Sequence, residues 1–297
     1  MKTKPKSIIV APLVSEQYFS GVSLMAESLI EARIAKALKA KITTTLSRVG
    51  WFPERDPQTK ILNPWEVRNY SIDLAKAIET DFNSGYFPVV LGGDCTILIG
   101  AMLAARRNGN SGLFFIDGHA DFYEPGVSPS GETADMELGL VTGNGPEILT
   151  EFDGIKPLVA EENTVLFGYR DEAMVKRAGG RDVRSSNIRC VSLDDTRYYG
   201  FNNKLEEAIR TLKNRVDNFW IHLDFDVLND SLMPAVDYRM PDGFSAGELV
   251  NTLQRLIQSG KASGISVSIF NPTLDYDGSL AEQAVDYLRA GLTESLF

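Results

Sequence analysis

Eight short apolar stretches alternate with helix-like segments along this chain of 297 residues. The apolar stretches are of strand length and rich in Val, Ile and Phe, whereas the segments between them repeat apolar residues at helical spacing. The predicted strands are residues 7–13, 42–49, 87–91, 112–116, 164–168, 188–193, 218–226 and 263–270. Alternation of this kind indicates a parallel sheet that is covered by helices on both faces.

We predict a single α/β domain over residues 1–297, because the chain contains no internal repeat, low-complexity tract or convincing linker. The predicted helices are residues 24–40, 65–82, 204–216, 245–257 and 281–288, with one more that follows Cys95 and ends near Arg107. A (β/α)8 barrel also has eight strand–helix units. A long loop rich in proline between residues 50 and 64, and polar motifs at four strand ends, favour an open sheet, but periodicity leaves both architectures open.

The charge of the chain limits its partners. It has 30 Lys and Arg against 40 Asp and Glu, a formal charge of −10, whereas nucleic acids and anionic membranes select basic surfaces. Two cysteines, Cys95 and Cys190, are too few for a disulfide framework and fit a reducing compartment. With no apparent signal peptide or membrane-length apolar run, we expect a cytoplasmic protein with a small-molecule substrate, not a nucleic acid or membrane partner.

Three side chains of the types that bind metals follow the predicted strand 112–116. Asp117, His119 and Asp121 occupy alternate positions, so an extended backbone would point them the same way. Carboxylates with one imidazole suit a hard or borderline divalent ion. The alternative is that these residues cap a helix or form a local turn.

A second stretch repeats this pattern at the end of another predicted strand. His222, Asp224 and Asp226 share one parity, and apolar residues share the other. The chain has only two histidines, and both lie in these two stretches. Two such strand ends side by side predict a two-metal site that activates water. We expect His222, one step deeper, to orient a ligand carboxylate or to be a satisfied core histidine.

The motifs of this chain resemble those of the ureohydrolase family, which contains arginase, agmatinase and formiminoglutamase. The matching residues are Gly92-Gly93-Asp94, Asp117-Gly118-His119-Ala120-Asp121, Ser130-Gly131, Asp224-Phe225-Asp226, Pro234-Ala235 and Asn271-Pro272. The resemblance implies an open sheet of eight mostly parallel strands in one three-layer domain. It also implies a dinuclear manganese site at the carboxyl ends of the strands.

The resemblance implies a role for each metal-binding position. Asp117 and Asp224 match carboxylates that bridge the two ions, and His119 and Asp226 match ligands of one ion. Asp121 matches a ligand of the other ion that also contacts the metal-bridging hydroxide. The sixth ligand in most members is a histidine, and here that position is Cys95.

Cys95 changes the expected metal chemistry. A thiolate is softer than an imidazole and adds a negative charge, so it favours zinc or iron over manganese at that position. The alternative is that Cys95 is a small buried helix residue and that the site has lost one ion, because free cysteine is among the most buried residue types.

The substrate side departs further from the family. The histidine that serves as a proton shuttle is Ala134 here, and the glutamate that holds the guanidinium is Ile269. Tyr123 replaces an asparagine, and Ala173 replaces an aspartate that binds the substrate amino group, while Asp171 remains. Loss of the charge-assisted bond at Ile269 would weaken guanidinium binding by roughly 1.5–3 kcal/mol.

Four neighbouring residues are candidates to replace these contacts. Glu132 is a candidate acid–base residue, or else a solvated loop charge. Tyr123 and Ser130 are candidate substrate contacts. Arg239 is a candidate for bidentate binding of a substrate carboxylate, or else pairs with Asp237 or lies on the surface.

We therefore predict a metal-dependent hydrolase of a linear C–N bond in a guanidino, amidino or amide-like compound, and not an ordinary arginase. Asp121 would orient the hydroxide and pass a proton to the leaving nitrogen. The alternative is a non-catalytic or regulatory member that binds metal. The resemblance also implies a homo-oligomer.

Overall fold

The computed structural model describes residues 4–15, 20–50 and 52–293. Its eight strands are β1 (Lys6–Ala11), β2 (Lys41–Thr45), β3 (Phe87–Gly92), β4 (Ser111–Ile116), β5 (Thr164–Phe167), β6 (Arg189–Val191), β7 (Asn218–Asp224) and β8 (Ala262–Ser268). They form one sheet in the order β2-β1-β3-β8-β7-β4-β5-β6. All seven strand pairings are parallel. The sheet is open, with β2 and β6 at its edges, so the predicted fold class is confirmed and the barrel is excluded.

The α-helices occupy the connections between the strands and the segment after β8. They are α1 (Met25–Glu31), α2 (Ile34–Ala37), α3 (Pro64–Asn83), α4 (Ile97–Arg107), α5 (Glu137–Val141), α6 (Glu147–Thr150), α7 (Glu172–Ala178), α8 (Leu193–Tyr199), α9 (Phe201–Lys213), α10 (Ala246–Gln258) and α11 (Ser279–Leu292). A capping box begins α10, with Ser245 and Glu248 bonding each other's backbone. Within the described residues, none of these helices is both long and apolar enough to cross a membrane.

Alternate residues of each central strand enter two separate hydrophobic cores, one on each face of the sheet. Phe114 belongs to the core that contains α1, α9, α10 and α11 residues. Its neighbour Phe115 belongs to the core that contains α3, α4 and α5 residues. Side chains that alternate between two buried faces explain why these strands read as continuous apolar runs.

Some local boundaries differ from the prediction. The helix predicted over residues 24–40 is two short helices, because Arg33 adopts a left-handed conformation with φ of 67° between them. The strand predicted over 188–193 ends at Val191, because Ser192 caps α8 through a capping box with Asp195. The short helix α5 is not among the helices predicted from the sequence.

Strand order brings four polar loops together. In the centre of the sheet, β3, β8, β7 and β4 are consecutive neighbours. Because they are parallel, their carboxyl ends lie at one edge, where ligands of open α/β sheets bind. The loops that follow these four strands contain the motifs singled out above.

Candidate metal centre

The three predicted ligands after β4 do not lie in a strand. The strand ends at Ile116, and Oδ1 of Asp117 accepts a hydrogen bond of 2.6 Å from the backbone N–H of His119, which forms a tight turn. Asp121 has a positive φ of 43°. Strand periodicity was therefore the wrong reason to group these side chains, because a carboxylate-bonded turn replaces the extended backbone. What groups them is contact with neighbouring loops.

The loop after β7 is joined to the loop after β4. Oδ1 of Asp224 accepts the N–H of Asp226 at 2.6 Å, which starts a 3-10 turn over Phe225–Val227. Oδ1 of Asp226 accepts the N–H of Gly118 at 3.0 Å. Its Oδ2 lies 2.8 Å from Nδ1 of His119. Asp226 thus fixes the spacing between the two carboxylate-bearing loops.

Cys95 enters the same cluster from the end of β3. Its Sγ atom lies 2.9 Å from Oδ2 of Asp224 and 2.9 Å from Oγ of Ser268, the last residue of β8. The side chain is 1% exposed. The preceding Asp94 holds this turn by accepting backbone N–H bonds from Thr96, at 3.0 Å, and from Ser15.

Burial makes the ionised form of this cluster costly. Desolvation, followed by the charge of Asp224, raises the pKa of Asp117 well above its usual value. Desolvation raises the pKa of the Cys95 thiol well above its usual value too, and Asp224 adds to this. Burial alone would lower the pKa of His119, but Asp226 outweighs it and raises that pKa to about 9. A cluster with this number of buried acids is stable in its ionised form only when cations neutralise the charge.

Donor atoms are grouped closely enough to hold such cations. One group has ligand atoms from Asp117, His119 and Asp226, all within 4.8 Å of one another. A second has ligand atoms from Cys95, Asp117, Glu137 and His222 within the same limit. Asp117 belongs to both groups, and its Oδ2 has no hydrogen-bond partner among the described residues. The mixture of carboxylate, imidazole and thiol donors fits divalent metal ions.

A cavity of about 230 Å³ opens above this cluster. Its described lining residues are Asp94, Cys95, His119, Asp121, Tyr123, Pro129, Ser130, Glu132, Ala134, Asp135, Asp171, Met174, Asp224, Asp226, Tyr238 and Ile269. The candidate substrate contacts Tyr123, Ser130, Glu132 and Asp171 are therefore all placed at the cavity. No Lys or Arg is among the described lining residues.

Two cavity acids are buried rather than solvated. Glu132 is 3% exposed, and one of its oxygens accepts a hydrogen bond of 3.2 Å from the hydroxyl of Tyr238. Asp171 is also 3% exposed, and it accepts the N–H of Ala120 at 3.1 Å. Its other oxygen has no partner in the described structure. These carboxylates line the space that a substrate would fill.

Arg239 does not lie at the cavity. Its guanidinium pairs on the surface with Asp230, with Nη2 2.9 Å from Oδ2 and a second, shorter contact from Nε. Nor does it pair with Asp237, which accepts a hydrogen bond of 2.5 Å from Asn271. The bidentate geometry is as expected, but its partner is a carboxylate of this chain, so the structure does not support Arg239 as a substrate contact.

Two residues near the centre were missed, and a third matches one of its two expectations. His222 contacts the hydroxyls of Ser266 and Ser268, as expected of a satisfied core histidine. Glu137, at the start of α5, is fully buried beside Asp121, where desolvation raises its pKa. Arg170 donates from Nη2 to the backbone oxygen of Asp226 at 2.9 Å. An acid within the apolar run after residue 135 was the available signal for Glu137.

Comparison with known proteins identifies the fold. The arginase family model matches residues 5–292. An arginase of Staphylococcus aureus (strain COL) is 31% identical over 306 residues, which cover 99% of each chain. The solved arginase of Bacillus caldovelox has a TM-score of 0.88 at 25% identity and covers 99% of this chain and 100% of its own.

A more distant neighbour shows how far the fold extends. Formimidoylglutamase of Bacillus subtilis has a TM-score of 0.72 at 17% identity, with 100% of this chain and 89% of its own covered. At that identity only the fold is shared. The family match and the full-length relative together show that this chain belongs to the arginase family, whose members are metal-dependent hydrolases of linear carbon–nitrogen bonds, as its motifs predict.

Proposed function

We propose that this protein hydrolyses a guanidino or amidino compound with two divalent metal ions held by Cys95, Asp117, His119, Asp121, Asp224 and Asp226. The observation that carries the proposal is the convergence of loops from β3, β4 and β7 on one buried cluster below a cavity. We expect manganese, with zinc or iron as the alternatives that Cys95 introduces. Divalent ions, when bound, acidify water so that hydroxide is available near neutral pH.

The residues of this chain then have separate tasks. Asp121 lies at the cavity and can accept a proton from the attacking water and return it to the leaving nitrogen. Glu132 is the second candidate acid–base residue, because it is buried and faces the same space. Asp226 keeps His119 in place, and Arg170 holds the backbone of Asp226. The enclosing wall limits access of bulk water to the reacting carbon.

The cavity favours a cationic substrate that is not free arginine. Ala134 and Ile269 line it where related enzymes place a proton-shuttling histidine and a guanidinium-binding glutamate. Glu132, Asp135 and Asp171 supply negative charge instead. No Lys or Arg is among the described lining residues to pair with a substrate carboxylate. These features favour an amidine or guanidine that carries no carboxylate near the reacting end.

A screen of metal-loaded protein tests this function. Purified protein is stripped of metal, reconstituted with manganese, zinc or iron(II), and incubated with guanidino and amidino compounds while release of urea or amine is measured. We expect turnover that depends on added metal and is abolished in Asp121→Asn. Tight binding of two ions without turnover of any compound would favour the non-catalytic alternative.

Three further expectations accompany the proposal. We propose a cytoplasmic location, because the two cysteines of the chain form no disulfide and no partner other than a small molecule is indicated. We also propose a homo-oligomer, which light scattering on the purified protein would test. That residues 1–297 form a single domain stays a prediction.

A further inference from the structure

A second set of donors lies beneath the cavity. Glu137 is 0% exposed, and neither of its carboxylate oxygens has a hydrogen bond of ordinary geometry in the described part of the chain. Its carboxylate interacts with that of Asp121, a second acid. Glu137 also does not line the cavity. A buried carboxylate that faces another acid is costly to ionise unless a cation compensates it. Its position at the start of α5 therefore points to a ligand below the cavity and not to the substrate.

The ring of His222 is held in a single orientation next to this carboxylate. It stacks on Phe115 with the ring centres 4.9 Å apart and an interplanar angle of 20°. Its Nδ1 lies 2.8 Å from Oγ of Ser266, whereas Nε2 is 3.4 Å from Oγ of Ser268. Ser266 also accepts the indole N–H of Trp220 at 3.0 Å. Nδ1 is thus occupied, and Nε2 is the nitrogen with only a weak partner.

The spacing of the donors suits one ion. Ligand atoms of Cys95, Asp117, Glu137 and His222 lie within 4.8 Å of one another. Bonds of about 2.0–2.3 Å place opposite donors of one zinc ion at most about 4.6 Å apart and tetrahedral donors about 3.3–3.8 Å apart. Donors near the 4.8 Å limit would therefore move closer together by up to about 1.5 Å as the side chains close on an ion.

We propose that Glu137 and His222 are further ligands of the metal ion beside Cys95, in addition to Asp117 and the other carboxylates that the proposed function places at that ion. The proposal rests on the two-metal site of the proposed function and adds residues that the family motifs do not assign. A thiolate and an imidazole among these carboxylates select zinc or iron(II). The other position, at Asp117, His119 and Asp226, has one imidazole and otherwise oxygen donors, and it suits manganese.

The two ions would then differ in access to the substrate. Glu137, Asp117 and His222 lie outside the cavity lining, while His119 and Asp226 are part of it. Cys95 also lines the cavity, so both ions would border it, and the ion at Cys95 would lie deeper because Glu137 and His222 are outside the lining. Nδ1–H of His222 donates to Ser266 in this arrangement, as metal-binding histidines usually donate their second nitrogen.

Metal binding by Glu137→Gln and His222→Gln tests the proposal without use of activity. Each variant is titrated with zinc by calorimetry and its metal content is determined. Loss of a hydrogen-bond partner of a ligand typically weakens metal binding 10–100-fold, so loss of a ligand should weaken one of the two positions by at least about 100-fold. Asp81→Asn is the matched control. It removes another buried carboxylate, which accepts a 2.9 Å hydrogen bond from Thr43, and should bind zinc as wild type does.

X-ray absorption at the zinc edge supplies the second readout. With one equivalent of zinc, wild type should show one sulfur and one imidazole ligand. His222→Gln should lose the imidazole and keep the sulfur. Retention of the imidazole in His222→Gln would assign it to His119 and overturn the proposal, as would unchanged zinc affinity in both variants. If either of these outcomes is found and wild type still binds two ions, the proposed function survives without Glu137 and His222 as ligands. If wild type binds no ion, the proposed function and the assignment of Glu137 and His222 both fail.

Discussion

The sulfur of Cys95 and the carboxylate of Asp224 are 2.9 Å apart, although 129 positions separate these residues in the chain. Between their strands, β3 and β7, lies β8, and its last residue Ser268 contacts the same sulfur at 2.9 Å. The Cys95 side chain, which follows β3, therefore contacts the last residues of both β7 and β8. A change at Cys95 should act on Asp224, the residue that we expect to bridge two ions.

Substitution of Cys95 should change metal preference more than folding. Cys95→Ser should weaken the binding of one ion and leave the fold intact, because a small buried polar change lowers the free energy of unfolding by about 1–3 kcal/mol. Cys95→His should shift preference toward manganese. Calorimetric titration with manganese and with zinc checks both. If Cys95→Ser binds both ions as tightly as wild type, with the same proton release, Cys95 is a packing residue.

The bridging carboxylates should be distinguishable from the single-ion ligand by metal content. Asp117→Ala and Asp224→Ala should lose both ions, because each ion loses a shared donor. His119→Ala should mainly empty one position. Elemental analysis after dialysis checks this, with Asp81→Asn as a control for loss of a distant buried carboxylate. Equal residual metal in the three variants would refute the bridging roles.

Metal-stripped protein should lose stability as pH rises. Burial raises the pKa values of Asp117, Asp121, Asp224 and Glu137 in the folded protein. Above the unfolded value of about 4, the folded state therefore binds more protons than the unfolded state, so the free energy of unfolding falls with increasing pH. Thermal unfolding from about pH 5 to about pH 8 measures this.

Metal should reverse that trend. Ligands must be deprotonated to bind an ion, so affinity rises with pH and binding releases protons. At a free metal concentration 100 times Kd, one ion stabilises the folded state by about 2.7 kcal/mol. The gap in melting temperature between loaded and stripped protein should therefore widen from acidic to alkaline pH. A gap that is constant across this range would show that these carboxyls do not bind the ion.

The sheet could be predicted from sequence because its central strands are buried on both faces. Each one reads as an apolar run with a clear end, and Gly, Pro and polar motifs mark the following loops. Boundaries set by a single side chain were predicted less well. The break at Arg33 and the cap at Ser192 depend on local backbone geometry that competes with periodicity.

The motifs predicted to bind metal contact one another in the structure, although strand periodicity was partly the wrong reason to group them. The residues after Ile116 converge through turns and contacts with the β7 loop, which strand periodicity does not describe. The sequence marks Glu137 only as an acid within an apolar run, and its contact with the cluster, like that of the serine partners of His222, depends on how α5 and β8 pack there. Arg239 is exposed because Asp230 lies within reach of its guanidinium, a pairing that spacing alone did not indicate.

Glu132 should affect turnover without affecting metal binding. It lines the cavity and is bonded to Tyr238, and it is not in either group of metal donors. If it is an acid–base residue, Glu132→Gln should lower kcat about 10²–10⁴-fold. Tyr238→Phe is the matched variant, since it removes the hydroxyl that bonds that carboxylate and leaves the carboxylate in place. A loss of metal from Glu132→Gln, or unchanged kcat, would exclude this role.

The central claim is that this cluster binds two metal ions for hydrolysis, and anomalous X-ray scattering from crystals of reconstituted protein tests it most directly. Data collected at the manganese and zinc absorption edges would locate and identify each ion. We predict two peaks among these side chains, one beside Cys95 and one beside His119, with the Asp117 carboxylate in contact with both. A map with no peak there, or with ions bound only elsewhere on the protein, would contradict the account.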